Sequence, residues 1–352
     1  MIDCDIHNEL PSLDALLPYL PDYWCDYINE SAFVGPDAND YPANAPITAS
    51  PSVRTVAAES QTRPASTLAQ IQTQVLDQIL DTGTVDYGIL TCSYRVPAVH
   101  HPDLAAALAT AVNRWQVEHW LEPEPRLRAS IVIPSQNAEL AAKEIDRWGD
   151  HPGFVQVMLP VRSLLPYGNR IHDPIYAAAT RHDLAVGIHY GGAPGHPSTP
   201  SGWPSTFIEE YAGMSQVFQS QVMSLIVEGS FDRFPDLRVA LIEGGFTWMP
   251  SLMWRLDKEW RGLRHNIPWV KQPPSEYIHK HIRLTTQPID APHEPDYLCE
   301  IIEQLDSEDL LMYASDYPHW HADDPRFIFD IGLPDALEQR ILDENARIFY
   351  QL

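Results

Sequence analysis

The sequence predicts an α/β fold in which eight parallel strands and their intervening helices close into a (β/α)8 (TIM) barrel. Short apolar runs rich in Val, Ile and Leu recur at residues 2–6, 85–91, 128–133, 153–159, 184–189, 238–242, 281–285 and 310–314. Their continuous rather than alternating apolar character suits strands buried on both faces, as in a parallel sheet covered by helices. Between the runs lie longer stretches with apolar residues every three or four positions, which is helix spacing. Eight such alternations spell a parallel barrel. A doubly wound open sheet is the alternative, but it would place a glycine-rich phosphate turn after the first strand, where this chain has His7-Asn8-Glu9.

Taken in order, strand one is Ile2-Asp3-Cys4-Asp5-Ile6, in which Asp5 and His7 share a face by the two-residue period and Cys4 alternates to the other. Residues 33–67 are rich in Pro, Ala, Ser and Asn without periodicity and read as a long insertion, a common form of active-site cover. Leu68, Ile71, Val75 and Ile79 begin the helical pattern, and 104–120 continues it. Strand four, Phe154-Val155-Gln156-Val157-Met158-Leu159, is followed by Arg162, and Arg95 follows strand two. Strand five ends in His189 before Tyr190-Gly191-Gly192, and strand six runs into Glu243-Gly244-Gly245. The last strand leads to Ser315-Asp316-Tyr317-Pro318-His319.

At 352 residues the chain has the length of two average domains, yet barrels of ~250 residues or more fold as one unit. With no linker or repeat visible, residues 1–352 are expected to form one domain carrying the 33–67 insertion. The 44% hydrophobic content and ten tryptophans supply a sizeable core, while no apolar run approaches the ~20 residues of a membrane span. No secretory signal is apparent, so a cytoplasmic location is the expectation. A formal charge of −25 argues against a nucleic-acid surface, which needs clustered Lys and Arg. Cys4, Cys25, Cys92 and Cys299 lack metal-ligand or disulfide-framework spacing and are read as reduced.

In a barrel, the residues at the C-terminal strand ends build the site. Here they are Asp5 and His7, His189, Glu243 and Asp316. The two imidazoles with two of these carboxylates suit zinc or manganese with a coordination position left open. Glu9 offers a second register, with His7 and Glu9 as the pair. Asp316 has a competing reading as a turn cap, and His189 and Glu243 as satisfied core groups.

Together, Asp3-x-Asp5-x-His7, Gly187-Ile188-His189-Tyr190-Gly191-Gly192, Glu243-Gly244-Gly245-Phe246-Thr247-Trp248-Met249-Pro250 with Arg255 and Asp257, Ser315-Asp316-Tyr317-Pro318-His319 and Ile341-Leu342-Asp343-Glu344-Asn345-Ala346 resemble the amidohydrolase superfamily. The likeness runs over the whole chain and is greatest to the group around aminocarboxymuconate semialdehyde decarboxylase. It implies a distorted (β/α)8 barrel holding one divalent metal, usually zinc, on Asp5, His7, His189 and Asp316. Two features depart from the group. Many relatives have His-x-His on strand one where this chain has Asp5-x-His7, and the decarboxylases carry a catalytic histidine on strand six where this chain has Glu243. Binuclear members place a carboxylated lysine on strand four, and the absence of lysine from 154–159 predicts a single ion.

The expected chemistry is hydrolysis, in which the ion lowers the pKa of a bound water toward ~7 for attack on a carbonyl. Glu243 shuttles protons, Asp316 ligates the ion and orients the water, and His319 binds substrate or serves as acid. Non-oxidative decarboxylation of an aromatic or semialdehyde acid is the alternative, followed by hydration and by a catalytically silent binding barrel. The substrate is expected to be a small carboxylated or aromatic molecule held by Arg162, Tyr190 and Trp248, with Arg95, Tyr19, Trp24, Trp203 and Trp320 as further pocket candidates. The Pro/Gly-rich run 191–204 is a second candidate cover. The tryptophan-rich stretch 248–269 offers a contact surface for a homodimer.

Overall fold

All eight apolar runs form strands: β1 Ile2–Ile6, β2 Tyr87–Leu90, β3 Leu127–Val132, β4 Phe154–Arg162, β5 Ala185–Gly192, β6 Val239–Ile242, β7 Ile282–Thr285 and β8 Leu311–Met312. They pair in parallel in sequence order, β1 through β8. The ring is nearly closed where the Cys4 N–H donates to the Tyr313 carbonyl (3.0 Å) and the His7 N–H to that of Tyr317 (2.8 Å). The computed structural model describes residues 1–36, 68–78, 80, 84–192, 202–319 and 327–352. Most of the predicted insertion, Ile79, most of the run 191–204, Trp320 and His321 therefore lie outside the described residues.

Burial explains the unbroken apolar runs. Along β6, Val239 and Leu241 join the large cluster that includes helix residues such as Leu108, Val112, Ile175 and Phe218. Ala240 and Ile242 join a smaller cluster with Ile2, Cys4, Ile89, Ala185 and Met312. One face of the strand thus meets helices and the other the barrel interior, where Phe349 and Tyr350 of the C-terminal helix also pack. A register irregularity between Asp3 and Ile6 lets β1 place Cys4 in the inner cluster and Ile6 in the outer one. β4 and β5 run on past their predicted ends, to Arg162 and Gly192, and carry the site residues with them.

Two helices position site groups directly. Phe207–Val227 opens with a reciprocal cap between Thr206 and Glu209, satisfying first-turn N–H groups and bringing Glu210 and Tyr211 to the barrel mouth. Pro102–Gln116 follows His101 with proline at its first position, then passes into a π turn at Val117–Leu121. Its Gln116 accepts a hydrogen bond from Asn8 Nδ2 (3.1 Å) and donates to Asn113 Oδ1 (3.2 Å) and the Ser130 carbonyl (3.1 Å). Asn113 in turn donates to Glu144 Oε1 (3.0 Å), whose carboxylate also receives Trp148 Nε1 (2.7 Å) and Thr110 Oγ1 (2.7 Å). This buried web ties the loop after His7 to the helical shell.

Glu144→Ala is expected to lower the unfolding free energy by about 3 kcal/mol, because it strands buried donors without a partner. Urea denaturation reads this directly, and an unchanged midpoint would refute the web's contribution. Among the described residues no helix is long and apolar enough to cross a membrane.

Candidate metal centre

Five buried side chains from four strand ends converge on one point. Asp5 lies in β1 and His7 just beyond it, His189 in β5, Glu243 directly after β6 and Asp316 in the segment after β8. One ligand atom from each lies within 4.8 Å of all the others. His7 Nε2 stands 2.8 Å from Asp316 Oδ1 and 3.6 Å from Asp5 Oδ1, and His189 Nε2 stands 3.5 Å from both Asp5 Oδ2 and Glu243 Oε2.

The backbone is bent to achieve this. Glu243 (φ 56°) and Asp316 (φ 54°) both adopt the left-handed conformation that side chains disfavour, a strain that persists where surrounding structure over-determines it. Thr285 Oγ1 accepts the Glu243 N–H at 3.1 Å, and the Asp316 carbonyl accepts the His319 N–H at 2.7 Å. Gly244 follows Glu243 with Phe218 packed so closely that an added Cβ would meet its ring at 2.9 Å.

Neighbouring groups orient the ligand atoms. The His189 Nδ1–H donates to the Tyr190 carbonyl at 2.8 Å, which turns Nε2 to the cluster. His7 Nδ1 hydrogen-bonds Ser93 Oγ (3.0 Å), and Thr91 Oγ1 donates to Asp5 Oδ1. Asp3, first acid of the motif, is a strut: its Oδ1 accepts the N–H groups of Ser315 (3.0 Å) and Asp5 (3.3 Å). Burial lifts the Asp3 carboxyl to about 7 against those bonds.

The donor set fits a divalent cation. Asp5 Oδ2 and His189 Nε2 are buried without a hydrogen-bond partner, a costly state that a shared ion would relieve. Burial would lower the His7 pKa, yet Asp5 and Asp316 outweigh it and raise it to about 9. The field at this point therefore draws positive charge. Glu9, the alternative ligand, is exposed and lies outside the cluster.

His319 flanks the centre, its Nδ1 3.0 Å from Asp316 Oδ1 and its ring 4.2 Å from that of His7. A cavity of about 390 Å³ adjoins the cluster, lined by Tyr190, Tyr211, Met214, Glu243, Ile289 and Asp290 among others. Arg162 is buried and paired with Glu210 Oε1 at 2.7 Å. Burial and the nearby Arg162 lower the Arg95 guanidinium to about 10, with Tyr190 and Glu243 also in its field. Burial, then the Glu243 charge, pushes the phenols of Tyr190 and Tyr211 far up.

Other predicted pocket residues lie elsewhere. Trp248 is not in the described lining; its indole N–H donates to the Gly244 carbonyl at 2.8 Å and braces the turn behind Glu243. Trp24 packs in the core, Tyr19 hydrogen-bonds Glu118, and Trp203 is 65% exposed. Sequence reasoning missed Thr91, Ser93, Thr285, Tyr211 and Asp290. The hydroxyls had one usable signal, since each stands at or just past a strand's C-terminal end.

The amidohydrolase family pattern matches residues 2–352. Gamma-resorcylate decarboxylase from Rhodococcus jostii is 22% identical over 316 residues, covering 80% of this chain and 90% of that protein. The crystal structure of 5-carboxyvanillate decarboxylase from Sphingomonas paucimobilis superposes with a TM-score of 0.70 at 21% identity, covering 100% and 99% of the two chains. The corresponding enzyme from Novosphingobium aromaticivorans, complexed with manganese and 4-hydroxy-3-methoxy-5-nitrobenzoic acid, gives 0.67 at 19% identity, covering 100% and 96%. At these identities the structural likeness shows the fold.

Proposed function

The chain belongs to the amidohydrolase family, and from that premise we propose that it is a metal-dependent decarboxylase of a hydroxylated aromatic carboxylic acid. The proposal shifts the expected reaction from hydrolysis to its alternative, as the decarboxylases among its relatives favour. One observation of this molecule carries it. Tyr190 and Glu243 line the cavity, and Arg95 and the Arg162–Glu210 pair lie within charge range of both, so a planar aromatic substrate meets aromatic surface with cationic groups behind it.

In this reading Asp5, His7, His189 and Asp316 hold a divalent ion, which supplies positive charge to orient the substrate carboxylate. Arg162 and Arg95 neutralise acidic groups on the substrate, and Tyr190 and Tyr211 pack against its ring. Asp316 and His319 hold the proton that replaces the carboxylate. As the ring carbon takes that proton, its bond to the carboxyl carbon breaks, the bonding pair stays with the ring, and CO2 leaves. No water is consumed.

Hydrolysis is the second reading, favoured by Glu243, a carboxylate beside His189 where the decarboxylases of the group have histidine. Manganese-loaded enzyme with a panel of hydroxybenzoic acids in 18O-labelled water separates the two. Expected is one CO2 per arene formed, with no label in the arene. Cleavage of amides or lactones with label incorporated, and no CO2 from any acid, would overturn the proposal in favour of hydrolysis.

A further inference from the structure

We infer that Glu243 is a fifth protein ligand of the metal, making this a six-coordinate, three-carboxylate centre selective for a hard divalent ion such as manganese over zinc. The inference rests on the metal centre above and holds whichever reaction runs there.

Geometry is the first ground. Five protein donors around one ion exceed a tetrahedron and fill five of the six positions of an octahedral one. His189 Nε2 stands 3.5 Å from both Asp5 Oδ2 and Glu243 Oε2, so Glu243 approaches the imidazole as closely as Asp5 does. The five-donor set spans no more than 4.8 Å, with Glu243 inside that limit to every other member. Zinc sites take three or four protein donors, and a fifth points to an ion of higher coordination number.

Backbone conformation is the second ground. Glu243 sits at φ 56°, its N–H held by Thr285 Oγ1 and the following turn braced by Trp248 on Gly244. This arrangement turns the carboxylate inward beside the partnerless His189 Nε2. Glu243, directly beyond β6, and Asp316, in the segment after β8, share the same left-handed twist, so two carboxylates are aimed by one device.

Charge is the third ground. Asp5, Glu243 and Asp316 together more than cancel a divalent charge, and oxygen-rich, anionic donor sets favour manganese over softer ions. An ion so neutralised polarises a bound water weakly, and a ligated Glu243 is not available as a base. Both consequences count against hydrolysis.

The test uses the full chain stripped of metal by chelator and titrated calorimetrically with Mn2+ and Zn2+, as wild type, Glu243→Gln and His189→Ala. X-ray absorption on the manganese form counts first-shell donors. Expected are six donors in wild type and, in Glu243→Gln, Mn2+ affinity weaker by about 100-fold with Zn2+ affected much less. Glu243→Gln binding Mn2+ within threefold of wild type, with unchanged absorption, would overturn the inference. So would a four-donor wild-type shell, a result that needs no variant to fold. If His189→Ala loses metal while Glu243→Gln keeps it, only this inference falls; if both bind as wild type does, the metal centre falls too.

Discussion

His189→Ala, purified without added metal, is expected to hold well under a tenth of the metal found in wild type and to lose turnover by about 10³-fold. The magnitude follows from an ion's contribution of several kcal/mol to charge stabilisation, about 4 kcal/mol corresponding to that factor. His189 presents Nε2 to the cluster because Nδ1 is committed to the Tyr190 carbonyl, and alanine removes both. It also leaves Asp5 and Glu243 facing each other without the imidazole between them. A divalent ion should therefore raise the melting temperature of wild type and not of the variant, since only a bound ligand stabilises the fold by mass action. Equal metal content by elemental analysis in the two proteins would remove His189 from the site.

Asp316→Asn is expected to lower kcat by about 10²- to 10⁴-fold, the usual contribution of a positioned proton-transfer group. Asparagine keeps an oxygen where His7 Nε2 and His319 Nδ1 now meet Oδ1, so the surrounding geometry has reason to survive. What disappears is the negative charge and the capacity to hold a transferable proton. Circular dichroism and the melting temperature of metal-free protein should stay near wild type, and metal content by elemental analysis separates loss of the proton group from loss of the ion. Turnover within threefold of wild type would take the proton-holding role from Asp316.

The barrel was legible because its signals are local. Unbroken apolar runs such as Val239-Ala240-Leu241-Ile242 report burial on both faces, and helix spacing between them reports an amphipathic crossover; neither depends on knowing a partner. The convergence of Asp5, His7, His189 and Asp316 was legible for a related reason. Metal-binding side chains at strand ends are a recurrent pattern, and a parallel barrel brings every strand's C-terminal end to one rim.

Partners contributed by a neighbouring strand were not legible. Thr91, Ser93 and Thr285 reach Asp5, His7 and Glu243 only because register sets β2 beside β1 and β7 beside β6. Hydroxyls are too common along the chain for their type alone to mark them. Asp3 carried the motif's signature but serves as a strut, a distinction that depends on Ser315 arriving from the far end of the chain. Trp248 had the composition of a pocket residue, and its fold position turns it into a brace.

The sequence by itself determined the architecture and the chemical identity of the donors, because hydrophobic periodicity and donor type are properties of residues read one segment at a time. Tertiary structure decided that three carboxylates converge on one point, since a left-handed turn at Glu243 sets its direction and no local pattern encodes that choice. It also decided that Arg95, Arg162 and Glu210, from three separate segments, set the charge beside the cavity. The reason in both cases is that charge and coordination depend on distance in space, which only the closed barrel defines.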